Sequence, residues 1–414
     1  MLRMESFPPE YDNNLLISFL PRLTRYLLGF PFSFGVFQDY YNSLPLFASN
    51  NSGVAIIGTS ASGIMYLGAP FVFFALQAWP RFRRLCSLLG LIIITIALIG
   101  SSFSTAVWHL IVTQGVLYAI GGSLLYAPAI LYLDEWFIAR KGFAYGVMWA
   151  GTGTSGVIVP FIMSWGLSAY GFRTMLRAWA ITLIVLSTPL IYYVKPRIPF
   201  NPLTASHPRR ISFEFLQTPT FWILQAGNIV EGLGFFIPNF YLPQYARSLN
   251  LTPISGSLIL ALFNLTSVLG QVGFGILIDK MEVTSVILIS SIGTTISVFI
   301  FWGLGISLPL LCVFALLYGI FGGGFTSTYT GMIRAVQRRT PSAETGMVFS
   351  LLAAGRGIGA VVSGPVGESL LNGLPWKDGA ALGYGTGYGG LIVFTGVTAL
   401  CGGLSFVGKR AKMI

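Results

Sequence analysis

The sequence predicts an all-α membrane protein with twelve transmembrane helices in two pseudo-symmetric six-helix bundles. Three observations carry this. Charge is scarce: 54% of residues are hydrophobic and 9% charged, with a mean hydropathy of +0.76, whereas a soluble domain carries roughly a quarter charged residues. Most apolar blocks run about 20 residues, enough to cross a hydrocarbon core of roughly 30 Å at about 1.5 Å per residue. Backbone groups cannot stay unpaired in lipid, so such blocks are helical. Lastly, similar segments recur in order on either side of the chain's centre.

The first predicted helix, 23–41, is the least regular, because Asn14–Leu28 contains Pro21, Arg22 and Arg25. A charge at the bilayer centre costs several kcal/mol. The span is therefore expected to begin near Leu23, with the arginines snorkelling to the headgroups, or else the stretch before Leu28 is no full span. Helices 2 and 3 (53–78 and 85–103) are split by Pro80-Arg81-Phe82-Arg83-Arg84. Helix 4 (107–133) ends at Asp134-Glu135. Arg140-Lys141 then precedes the glycine-rich helix 5 (143–165), and helix 6 covers 174–194. Residues 195–220, rich in Pro, Ser and basic residues, read as a linker. Helices 7 to 12 follow at 221–243, 254–278, 283–304, 308–335, 345–370 and 388–408. The expected domains are 1–194, an N-terminal bundle, and 221–414, a C-terminal bundle.

The net charge of +11 lies in the loops, which argues for topology rather than nucleic-acid binding. With the N-terminus in the cytoplasm, the cytoplasmic loops hold Arg81, Arg83, Arg84, Arg140, Lys141, Lys195, Arg197, Arg209, Arg210, Lys280, Arg334, Arg338 and Arg339. The C-terminus adds Lys409, Arg410 and Lys412. The opposite face holds Arg173, Arg247 and Lys377, with Arg177 just inside a helix. Both termini are thus expected to be cytoplasmic, and the plasma membrane is the expected location. No cleavable signal peptide is expected, since Met1–Asn14 is polar and no short apolar region with a cleavage site follows. Cys86, Cys312 and Cys401 lack metal-ligand spacing and read as inert thiols. No cofactor or metal is expected. Among histidines only His109 and His207 occur, and no HExxH, nucleophile elbow or phosphate loop is present, which argues against an enzyme.

The repeat pairs Leu117-Tyr118-Ala119-Ile120-Gly121-Gly122 with Leu317-Tyr318-Gly319-Ile320-Phe321-Gly322-Gly323. It also pairs Ala150-Gly151-Thr152-Gly153 with Ala354-Gly355-Arg356-Gly357, at offsets of 200 and 204 residues. Six-helix repeats place both copies in the same membrane orientation, an arrangement that encloses a site near the midplane and rocks around it.

These residues resemble the major facilitator superfamily, and more narrowly its fungal monocarboxylate-transporter-like branch. The resemblance runs from about Leu28 to the C-terminus. It rests on Gly29–Gln38, on Asp134–Gly151, on Phe172-Arg173-Thr174 with Arg177-Ala178-Trp179, on Thr220–Gln225 and on Ala353–Gly357. Gly275-Ile276-Leu277-Ile278-Asp279-Lys280 resembles the superfamily's loop motif that clasps helix ends on the cytoplasmic face. The resemblance implies a secondary active transporter of small organic solutes, monocarboxylates in particular, coupled to a proton and working as a monomer. Animal proton-linked members carry a lysine on helix 1 and an aspartate–arginine pair on helix 8. Here those places hold Phe34-Gly35-Val36 and, on helix 8, Asn264 and Gln271. A non-transporting sensor or scaffold of the same fold is the alternative.

Charges inside the spans are the candidate site. Arg356 lies about ten residues into helix 11, near the midplane, and a guanidinium there suits a carboxylate through two parallel hydrogen bonds. Glu231, at similar depth on helix 7, is the proton-coupling candidate through a pair with Arg356. Asn228 and Asn264 read as polar substrate contacts or interhelical glue. Tyr126, Trp149, Phe34 and Tyr329 read as cavity walls or as packing. Asp134, Glu135 and Arg140, with Asp279 and Lys280, are expected to form the cytoplasmic gate, Arg140 pairing with one of the acids.

Overall fold

The computed structural model describes residues 34–47, 51–137, 141–193, 211–374 and 376–410. Nine stretches among them are long and apolar enough to cross a membrane. The helices are α1 (Phe34–Ser43), α2 (Asn51–Ala78), α3 (Arg83–Ser101), α4 (Val107–Trp136), α5 (141–170) and α6 (172–193). They continue as α7 (Pro219–Ser248), α8 (Pro253–Lys280), α9 (Val283–Trp302), α10 (Leu308–Arg339), α11 (Thr345–Leu371) and α12 (Gly389–Gly402). Each predicted helix from the second to the twelfth has a counterpart here. The first half of predicted helix 1 and most of the predicted linker, 195–210, lie outside the described residues.

Local chemistry explains the boundaries. Helices α7, α8 and α10 begin with a proline at the first or second position, where the missing N–H costs nothing and φ is already helical. Between α5 and α6 the chain turns at one residue, Gly171, with φ 74°, a conformation in which a side chain would clash. The predicted helix 12 is broken: α12 stops at Gly402, the chain turns through Gly403 and Leu404, and a short helix, α13 (Ser405–Arg410), follows. Two successive glycines weaken the helix there.

Large apolar side chains cover the outside, with Phe71 and Ile254 each 78% exposed. An apolar belt of this extent is a lipid-facing surface, so the chain is a multi-pass integral membrane protein.

Two long crossings join the N-terminal helices to the C-terminal ones: α5 against α8, and α2 against α11. Small residues make the first one close. A Cβ on Gly142 would lie 2.5 Å from the Gly275 carbonyl oxygen, and a Cβ on Gly275 would lie 2.6 Å from that of Gly142. Small residues let membrane helices gain dispersion contact at short range, where no hydrophobic force separates helix from lipid.

Candidate functional site

Arg356 reaches the centre because α11 is pinned on two sides around it. A Cβ on Gly359 would meet the Gly232 backbone of α7 at 2.3 Å, and one on Gly357 would meet Tyr66 Cβ of α2 at 2.6 Å. The guanidinium therefore sits where α7, α10 and α11 meet α2, roughly 16 Å along α11 from its start. It is 1% exposed. Its Nη1 donates to Glu231 Oε2 at 2.5 Å, and Glu231 of α7 is itself buried.

A buried charge is tolerated only when paired. This pair is also walled by aromatic faces: Arg356 Cζ lies 4.1 Å from the Phe235 ring centre, 5.6 Å from Phe325 and 5.7 Å from Phe236. Ring quadrupoles add to the cation's stabilisation when water is excluded.

A cavity of about 30 Å³ lies beside the arginine, room for about one water molecule. Tyr66, Phe73, Phe236, Phe349 and Met65 supply apolar wall. Among its polar lining residues are Tyr126, Trp149, Thr326 and Arg356, beside Ser62, Ser123 and Tyr329. Tyr126 Oη, Trp149 Nε1, Thr326 Oγ1 and Arg356 Nη2 are all buried and have no hydrogen-bond partner among the described residues. Buried polar groups are ordinarily paired. Four orphans converging on one space form a donor-rich surface for a ligand's acceptor atoms.

Packed side chains flank the cavity along the helix axes. Toward the face that carries the basic loops, the Phe349 ring lies 5.7 to 5.9 Å from those of Phe73, Tyr145 and Tyr329. Toward the other face, α2 and α11 meet, a Cβ on Gly364 lying 3.2 Å from Thr59.

The remaining sequence candidates fall elsewhere. Asn228 Nδ2 donates to the Leu352 carbonyl at 2.7 Å and to Gln225 Oε1 at 3.2 Å, and its Oδ1 accepts from Tyr329 Oη at 2.9 Å. It braces α7 to α10 and α11. Asn264 donates to the Gly156 carbonyl at 3.2 Å, across the α5–α8 crossing, and to that of Leu260 at 3.0 Å. Phe34 is buried against Gly58 of α2. Thr326 escaped the sequence reading. It lies on a turn of α10, Gly324–Thr328, tightened to 3₁₀ geometry. The glycines at 322 to 324 were the available signal, since a mid-helix 3₁₀ turn often marks a functional hinge.

On the basic face both acids at the end of α4 are held in ion pairs. Asp134 takes Lys141, at 2.7 Å, and Glu135 takes Arg83. Arg140 lies outside the described residues. Asp279 accepts from the backbone N–H of Gly142 at 3.1 Å and of Phe143 at 3.0 Å, and it pairs with Arg334. The carboxylate thus caps the first turn of α5, where helix N–H groups lack partners and the dipole favours negative charge. This bond runs from α8 to α5 and ties the N-terminal helices to the C-terminal ones. Lys280 stands beside it at the surface without an ion-pair partner among the described residues.

Comparison with known proteins places this architecture. The solved structure of a proton:xylose symporter, XylE, superposes with a TM-score of 0.73 over 97% of this chain and 96% of that one, at 14% identity. The human organic anion transporter MFSD10 superposes with a TM-score of 0.65 over 95% and 100%. The chain has the major facilitator fold. Residues 224–411 match the family model for the Major Facilitator Superfamily. Relatives include the MFS-type transporter pynF of Aspergillus niger, 27% identical over 83% of this chain and 78% of that protein. The fujikurins efflux protein of Gibberella fujikuroi is 26% identical over 91% and 78%. The agnestins efflux protein of Paecilomyces divaricatus is 26% identical over 98% and 89%. These relatives are transporters rather than enzymes.

Proposed function

We propose that the protein is a secondary active transporter that moves small, largely apolar organic acids by alternating access, in the export direction, with a proton as the coupling ion. One observation carries the reading: four buried polar groups without hydrogen-bond partners among the described residues line one cavity between the N-terminal and C-terminal helices. A carboxylate or similarly acidic oxygen suits Arg356 Nη2, while Tyr126, Trp149 and Thr326 supply further hydrogen bonds. Monocarboxylates are the smallest members of that class. The efflux proteins among the relatives support export.

The cavity holds about one water, while binding sites for small molecules span roughly 300–1,000 Å³. Loading therefore requires the halves to part, and the small-residue crossings are where they slide. Release of the Asp279 cap on α5 opens the basic face, with Asp134, Glu135 and Arg140 at its mouth. The charge bias of the loops supports a cytoplasmic basic face and cytoplasmic termini, in the plasma membrane of a monomeric carrier. Glu231 and the substrate anion compete for Arg356. Protonating Glu231 frees the guanidinium for the substrate, and departure of the substrate together with loss of that proton from Glu231 restores the pair.

Transport of a panel of carboxylates and neutral metabolites into and out of proteoliposomes tests this. Arg356→Ala is expected to abolish acid transport, and Glu231→Gln to remove its dependence on pH. Undiminished acid transport by Arg356→Ala sinks the reading.

A further inference from the structure

A second cavity, of about 460 Å³, opens on the basic face between the ends of α8 and α10 and the start of α9. Five basic side chains line it (Lys280, Arg334, Arg338, Arg339 and Lys409) against two acids, Asp279 and Glu282. Both acids are already engaged, Asp279 with Arg334 and the α5 cap, Glu282 with Lys409. Lys280, Arg338 and Arg339 have no carboxylate partner among the described residues. The space therefore carries uncompensated positive charge.

Two further features point to a ligand. The N-terminus of α9 enters this cavity through Val283 and Thr284, and Glu282 makes no side-chain cap there. The first N–H groups of that helix have no acceptor within it. Thr284, which lines the cavity, is 2% exposed, and its Oγ1 has no hydrogen-bond partner among the described residues. A buried hydroxyl, helix N–H groups and free cations thus face one volume from different elements.

We propose that this cavity binds a phosphate group. A tetrahedral phosphate offers several acceptor oxygens to donors arriving from different directions, and it is favoured by a helix N-terminus. Arginine and lysine together supply the charge. The phosphate comes either from an anionic lipid headgroup, reached from the adjoining leaflet, or from a soluble phosphate. Basic pockets at helix ends suit such headgroups. The site is independent of the central cavity, and its occupancy does not rest on the transport reading.

The test uses purified full-length protein. One arm titrates inorganic phosphate by calorimetry in detergent. The other measures retention of phosphatidic acid by native mass spectrometry, after reconstitution in phosphatidylcholine with or without it. Wild-type protein is expected to bind one of the two probes. Thr284→Val and the double variant Arg338→Gln/Arg339→Gln are each expected to weaken that binding about tenfold. Melting curves on both variants, and Lys280→Gln as a milder third, separate lost binding from lost folding. Added salt is expected to weaken the interaction. Binding of phosphatidic acid alone assigns the headgroup as source, and binding of inorganic phosphate assigns a soluble anion. Binding of neither probe, or equal binding by folded variants, overturns the site.

Discussion

Arg356–Glu231 and Arg334–Asp279 are both arginine–carboxylate pairs, yet they stand in opposite surroundings. The first is sealed between aromatic rings, the arginine side chain 1% exposed. The second sits at a rim where the arginine side chain is 36% exposed. In the core, each charge is tolerated only because of the other: removing one partner leaves the other stranded. At the rim, water shares the solvation, and Asp279 owes its importance to the two N–H groups it caps on a neighbouring helix. The core pair borders the central cavity, and the rim carboxylate bonds two sets of helices together.

The comparison can be broken by removing charges singly. Arg356→Ala strands Glu231 and is expected to destabilise the protein by about 3–5 kcal/mol, measured by denaturation in detergent. Adding Glu231→Gln should recover most of that loss. Equal stability of the single and double variants would mean that the pair is not electrostatically coupled.

Asp279→Asn keeps the shape but weakens two charge-assisted bonds to α5. An effect of about 2 kcal/mol is expected, read as faster hydrogen exchange at the Gly142 and Phe143 amides with little change in overall melting. Lys141→Gln removes the partner of Asp134 in a partly exposed pair. Its expected effect on melting is below about 1 kcal/mol. A larger loss would place Lys141 in the same class as Asp279.

Much of this was legible in the chain. Helices 2 to 11 were set by apolar length and by prolines and charges at their ends, because lipid permits few alternatives to a helix. The glycines around Arg356 and the arginine itself were visible as a polar residue in an apolar span. Partner choice was less legible. Arg140, the expected partner of one of the two acids, lies outside the described residues; Asp134 pairs with Lys141, and Glu135 with Arg83, 52 residues away. Sequence neighbourhood favours short-range pairs, whereas helix packing brings distant ends together. The break of α12 at Gly402 was missed for a local reason, since apolar flanks masked a glycine pair.

The sequence by itself determined the membrane-spanning class, the order of the helices and the presence of a charge where charge is costly. Those follow from composition and from the bilayer's refusal of unpaired backbone groups. Only the tertiary structure decided which polar side chains are spent on packing and which are left open. Asn228 and Asn264 look as eligible in sequence as Tyr126 and Thr326. The asparagines, however, find carbonyls on neighbouring helices, while the tyrosine and threonine, which line the cavity, have hydroxyls with no partner among the described residues. Hydrogen-bond satisfaction depends on angles and distances between helices that no single helix encodes.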